Sequence, residues 1–207
     1  MSQVFIFGAS MAYGVGSTEG SFGDMLKRKL HEEMYSDGGV GEKHEVYNFT
    51  KPGATIEFVL DNYENQIEQY RKSGKLIAIV HVGGNNAKAK DAPENWVSTG
   101  EEFRSLAKKL LSSLAGKIDS VICVELAPVD ESKTTPRGTS YFYNHRFVEF
   151  NKIYAEVCAQ MNIPFIETGI GPDEWKEKYL YEDGLHPNTA GQRLIFEKVW
   201  EEVKKLI

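Results

Sequence analysis

Short apolar runs alternate with longer amphipathic segments along most of the chain. Val4 to Phe7 is an apolar run that stops at Gly8 and predicts a buried strand. Phe22, Met25, Leu26, Leu30 and Met34 repeat near every 3.6 residues and predict a helix over Phe22 to Met34. Further strands are expected at Glu45 to Phe49, Leu76 to Val82, Ser120 to Leu126 and Ile163 to Ile166. The stretch Leu-Ile-Ala-Ile-Val-His-Val at 76–82 is apolar on both faces, as a strand inside a parallel sheet must be. Helices are expected at Ile56 to Tyr70, Trp96 to Leu114, Phe142 to Met161 and Asn188 to Leu206, and a polar loop at Asp130 to Ser140. This strand–helix alternation predicts an α/β fold, with five parallel strands sandwiched between helices in three layers. No repeat, low-complexity tract or interior linker breaks it, so residues 1–207 read as one domain.

Composition narrows the class of partner. The net charge is −6 and no basic stripe occurs, which disfavours a nucleic-acid backbone. No run of about 18 apolar residues is present, so no membrane span is expected. Met-Ser-Gln leads directly into the first strand without a basic and apolar leader, which makes the cytoplasm the expected location. Cys123 and Cys158, the two cysteines, both fall in apolar surroundings and read as buried thiols. No His/Cys/Asp cluster has metal-ligand spacing, and no metal or cofactor is expected. The sequence does not speak to oligomeric state.

In sheets of this kind ligands bind beyond the carboxyl ends of the strands. Three such segments carry chemistry. Gly8-Ala9-Ser10 follows the first strand, with Gly8 freeing the chain to turn out of the sheet. Ser10 is there a nucleophile awaiting a base, or a helix cap. Gly83-Gly84-Asn85-Asn86 follows the third strand; its amides suit a developing oxyanion, and its composition suits a plain turn. Asp183-Gly184-Leu185-His186-Pro187 precedes the last helix. A carboxylate three residues before an imidazole can hold its Nδ1 proton and leave Nε2 as a base, or both groups can face solvent in a turn. The aromatic cluster Tyr141, Phe142, Tyr143 and Phe147 around His145 reads as ordinary packing or, second, as the lining of an acyl or sugar pocket, and His81 as a satisfied core or near-site histidine inside the third strand.

The order of these segments resembles the SGNH (GDSL-type) hydrolase family. Gly8-Ala9-Ser10 matches its first block, Asn48 to Thr55 its second, Gly83-Gly84-Asn85-Asn86 its third and Asp183-x-x-His186 its last. The resemblance implies a flavodoxin-like three-layer α/β/α topology and a serine esterase acting on small-molecule esters; the short chain and the lack of a large lid segment favour small acyl groups. It implies Ser10 as nucleophile, His186 as base, Asp183 as its support, and an oxyanion hole from the N–H groups of Ser10 and Gly53 and the Asn85 amide. Ala9 and Asn86 stand where the family usually has Asp. These two changes motivate the first alternative reading, a catalytically silent binding protein of the same fold. A flavodoxin-like binder of a phosphorylated ligand is the second.

Overall fold

The structure, a computed structural model, describes residues 1–39 and 41–207. In chain order its elements are β1 (Ser2–Gly8), α1 (Ser10–Tyr13), α2 (Phe22–Met34), β2 (His44–Thr50), α3 (Ile56–Tyr70), β3 (Lys75–His81), α4 (Gly84–Ala87), β4 (Ala89–Lys90), α5 (Gly100–Ala115), β5 (Ser120–Val124), α6 (Glu131–Thr134), β6 (Ser140–Tyr141), α7 (Asn144–Met161), β7 (Phe165–Ile166), α8 (Pro172–Glu174) and α9 (Thr189–Val203). Five strands form one parallel sheet in the order β2-β1-β3-β5-β7. Every residue of β1 is buried, Ser2 and Gln3 together with the apolar run Val4 to Phe7.

Right-handed crossovers decide which face each helix covers. The chain moves one way in the sheet from β1 to β2, then reverses through β3, β5 and β7. The helix of the first crossover, α2, therefore lies on one face, and α3, α5 and α7 lie on the other. The packing agrees, since α2 contacts α9 while α5 contacts both α3 and α7. The reversal occurs between β1 and β3, the two strands that lead into Ser10 and Asn85. A crevice beyond their carboxyl ends is the expected place for a ligand.

Several boundaries differ from the sequence expectation for local reasons. The helix expected from Trp96 begins at Gly100, because Thr99 and Glu102 form a reciprocal capping box. Asn188 lies outside α9 and caps it through the Gly191 N–H. The expected Asp130–Ser140 loop contains the one-turn helix α6, and at its end β6 pairs with β4 as a two-residue ribbon. Cys123 and Cys158 are buried and unbridged. Among the described residues no helix is long and apolar enough to cross a membrane.

Candidate active site

Gly8 has a tighter reason to be glycine than the turn it begins. A Cβ there would lie 2.6 Å from the Ala12 Cβ and 2.8 Å from the His81 carbonyl oxygen. The missing side chain lets the single turn of α1 sit directly on the sheet edge, with Ala9 at its N-cap and Ser10 as its first residue. Ser10 is therefore not a cap. Its N–H belongs to the first turn, where helical geometry offers no partner carbonyl.

The Asp183–His186 segment is a tight hairpin. Tyr181 N–H donates to the His186 carbonyl at 2.7 Å, and Leu180 bridges Pro187. Gly184 sits at φ +77°, and a Cβ there would meet the Lys133 Cβ at 2.7 Å. Pro187 precedes the Asn188 cap and so stiffens the approach to α9 rather than its first turn.

The hairpin brings the two predicted groups against Ser10. His186 Nε2 lies 2.9 Å from Ser10 Oγ, and His186 Nδ1 lies 2.6 Å from Asp183 Oδ2. An ionised carboxylate only accepts, so Nδ1 carries the proton and Nε2 is left to accept from the hydroxyl. The side chains of His186 and Asp183 are 8% and 14% exposed, so neither faces open solvent. Asp183 Oδ1 accepts from the N–H groups of Leu185 at 2.9 Å and His186 at 3.0 Å. Burial alone would raise the Asp183 pKa. The bonds from the His186 ring and the two N–H groups outweigh it and hold the carboxyl below its ordinary value.

Of the predicted donors, Asn85 lines the same cavity as Ser10. Gly53 occupies a turn after β2 at φ +83°. Its neighbour Ala54 accepts, through its carbonyl, a 3.0 Å bond from Asn85 Nδ2, which ties the second and third segments together. Gly83, at φ +127°, starts the single turn α4 that carries Asn85. An apolar cavity of ≈ 30 Å³ opens beside Ser10, between Ala9, Leu126, Phe142 and Leu185. Phe142 and Phe147 both line it, so the aromatic cluster does more than pack.

Three contributors were not legible beforehand. Arg137, in the expected polar loop, donates through Nη1 to the Asp183 carbonyl at 2.9 Å and through Nη2 to Asp183 Oδ2 at 3.1 Å. Lys88 donates to Asn85 Oδ1 at 3.3 Å, and burial, with the nearby charge of Lys90, pushes its pKa down. Asn86 is fully buried. Its Oδ1 accepts from Ile56 N–H at 3.0 Å, and its Nδ2 donates to Glu57 Oε2 at 2.9 Å and to Ser98 Oγ at 3.1 Å. For Asn86 a signal did exist, because the two asparagines of the third segment could not both serve an oxyanion. For Arg137 there was none, since nothing local marks which loop cation meets a carboxylate 46 residues away.

Ser10, His186 and Asp183 thus lie in hydrogen-bonded series at the switch point of a parallel α/β sheet, an arrangement that puts a base within reach of a hydroxyl. Residues 6–194 match the GDSL-like lipase/acylhydrolase family. The chain belongs to that family of carboxylic ester hydrolases. It is 23% identical over 206 residues to the esterase TesA of Pseudomonas aeruginosa, covering 96% of this chain and 85% of that protein. The same fold is seen in a lipase/acylhydrolase from Enterococcus faecalis, with TM-score 0.73, 23% identity, and 99% and 96% of the two chains covered. It is seen again in the acetylxylan esterase Axe2 from Geobacillus stearothermophilus, with TM-score 0.69, 14% identity, and 97% and 93% covered.

Proposed function

We propose that this chain is a serine esterase of short-chain carboxylic esters that works through an acyl-enzyme on Ser10. The observation that carries this reading is the continuous relay from Ser10 Oγ to His186 at 2.9 Å and from His186 to Asp183 at 2.6 Å. His186 Nε2 takes the hydroxyl proton as Oγ attacks the acyl carbon. Asp183 keeps the ring in the required tautomer and stabilises the imidazolium. The tetrahedral oxyanion is received by the N–H groups of Ser10 and Gly53 and by the Asn85 amide. Loss of one such donor typically costs about 3–4 kcal/mol of transition-state stabilisation. His186 then protonates the alcohol as it leaves, and water repeats the sequence on the acyl-enzyme.

The small cavity beside Ser10 supports short acyl groups. At ≈ 30 Å³, lined by Phe142 and Leu126, it has room for about one or two atoms beyond the carbonyl carbon. A p-nitrophenyl ester series from acetate to palmitate, run on wild type and Ser10→Ala, tests both parts. The expected result is turnover that falls steeply beyond propanoate and is lost in Ser10→Ala. Turnover retained by Ser10→Ala would refute the nucleophile, and a preference for long chains would refute the short acyl site.

A further inference from the structure

Among the described residues, the wall that carries Asn85 holds a cation with no carboxylate to answer it. Lys88 follows the single turn α4, half-buried, and its Nζ donates to Asn85 Oδ1 at 3.3 Å. The Phe142 ring centroid lies 5.8 Å from the same Nζ, and both Asn85 and Phe142 line the cavity at Ser10. An ammonium has three donors, and Asn85 takes one. Burial lowers the Lys88 pKa, and the charge of Lys90 lowers it further. Lys51, at the start of the Gly53 turn, has its Nζ 4.3 Å from the Phe58 ring centroid and is likewise without a carboxylate partner among the described residues. Glu57, the acid of this wall, accepts from the Asn86 amide. The opposite wall differs, since Arg137 pairs with Asp183 and Lys176 with Asp130. A bond to the Asn85 carbonyl needs a donor but no charge, and drawing an ammonium out of water is unfavourable unless an anion meets it.

The place of the ammonium fixes the chemistry it meets. In the proposed mechanism Asn85 Nδ2 faces the ester oxygen, and Lys88 holds the other end of the same amide. A substrate group beside Lys88 is thus one side-chain amide away from the reacting carbonyl. A short acyl group fills the ≈ 30 Å³ cavity, so such a group belongs to the alcohol part, outside it. We propose that Lys88 is a specificity residue, and that the enzyme prefers esters whose alcohol part carries an anionic group, a carboxylate in the simplest case. The two ammonium donors not used by Asn85 bond that anion, and Lys51 adds to the same positive field. This inference rests on the esterase reading and assigns the substrate class of that same site.

The test compares isosteres that share one acyl group. Para-acetoxybenzoate and para-acetoxybenzamide differ by a carboxylate for an amide, as do their meta counterparts. Initial rates at neutral pH and low salt give kcat/KM for each. Each pair's ratio is divided by the same ratio for hydrolysis catalysed by imidazole, a neutral nucleophile, which removes intrinsic reactivity. Wild type is expected to favour at least one carboxylate ester about tenfold, the worth of one hydrogen bond to a charged group. Lys88→Gln, which still offers Asn85 a donor, should bring that normalised ratio close to one, and Lys88→Arg, which keeps the charge, should retain part of it. A merely structural part for Lys88 lowers both members of a pair alike and leaves the ratio where it was. Should Lys88→Gln fail to fold, Lys88→Met takes its place in the comparison. Normalised ratios near one in wild type, or ratios equal in wild type and the uncharged variant, overturn the inference while turnover of the benzamides leaves the esterase intact. No turnover of any of the four esters, with none of the p-nitrophenyl series, overturns both.

Discussion

Returning Asn86 to the aspartate usual in this family should weaken the protein rather than improve it. Asn86 is fully buried, and its amide donates to Glu57 Oε2 at 2.9 Å. In Asn86→Asp that donor becomes a second carboxylate facing the first. The introduced group would keep the Ile56 N–H and could accept from the Ser98 hydroxyl, which limits the damage. Glu57 itself lies toward solvent, which screens the repulsion. Burial and the like charge together should raise the introduced pKa by about 1–2 units over its unfolded value near 3.9. At about 1.4 kcal/mol per unit this is a loss of about 1.5–3 kcal/mol at pH 7. In a chain of this length it is a fall in Tm of about 3–12 °C. The sign with pH is fixed. A carboxyl with a raised folded pKa costs nothing below its unfolded pKa and its full penalty above the folded one, so the deficit opens as pH rises from about 4 to about 6. Thermal melts at pH 4 and pH 7 measure it, and adding Glu57→Gln, whose amide can donate to the introduced carboxylate, should restore most of the loss. A variant as stable as wild type at pH 7, or one that Glu57→Gln does not rescue, would refute the reasoning.

Other outcomes follow from the same contacts. Arg137→Gln removes both bonds that tie Asp183 to the α6 segment, so kcat should fall about three- to tenfold with the fold intact by circular dichroism. An unchanged kcat would leave Arg137 with only a structural part. Lys88→Met frees the Asn85 carbonyl oxygen and removes a nearby positive charge, so kcat should fall about three- to tenfold with little change in KM. Because burial lowers the Lys88 pKa, the wild-type advantage should fade on the alkaline side, and parallel pH profiles for the two enzymes would count against the role. Gln192→Leu leaves the Phe22 N–H and the Met11 carbonyl without their buried partner; urea titration should show a loss of about 2–5 kcal/mol, and kcat should drop more than KM rises.

The legible parts of this molecule were those that follow from one segment alone. β1 and β3 announce themselves because burial on both faces leaves Val4 to Phe7 and Leu76 to Val80 without a polar position. Ser10, Asn85 and His186 stand out because each is a reactive or donating side chain just beyond a strand or before a helix. The two-residue strands β4 and β6 are shorter than any periodicity that could reveal them. Arg137 and Lys88 draw their meaning from neighbours brought by the tertiary fold, and a residue's type does not say which neighbour it will have. His81 reads from sequence as a core or near-site histidine, and the structure makes it both, buried at the end of β3 and beside the cavity at Ser10.

One tie between distant segments explains how a hydroxyl and an imidazole 176 residues apart come to lie at 2.9 Å. Gln192 is fully buried in α9, the helix that the His186 hairpin leads into. Its Nε2 donates to the Met11 carbonyl at 2.7 Å, one residue beyond the proposed nucleophile, and its Oε1 accepts from Phe22 N–H at 2.9 Å at the start of α2. From the other side the α6 segment grips the hairpin. Asp130 N–H donates to the Gly184 carbonyl at 2.8 Å, Lys133 to the Glu182 carbonyl at 2.9 Å, and Arg137 to Asp183 itself. The hairpin is thus fixed to α1 through one amide and to the α6 segment through a row of donors. Each of these bonds is individually modest, but they act on two short segments whose own backbones are already constrained by Gly8, Gly184 and Pro187. Precision at the relay therefore comes from main-chain carbonyls and amides held by side chains outside it, and substitutions in those side chains should lower turnover while leaving all three relay residues in place.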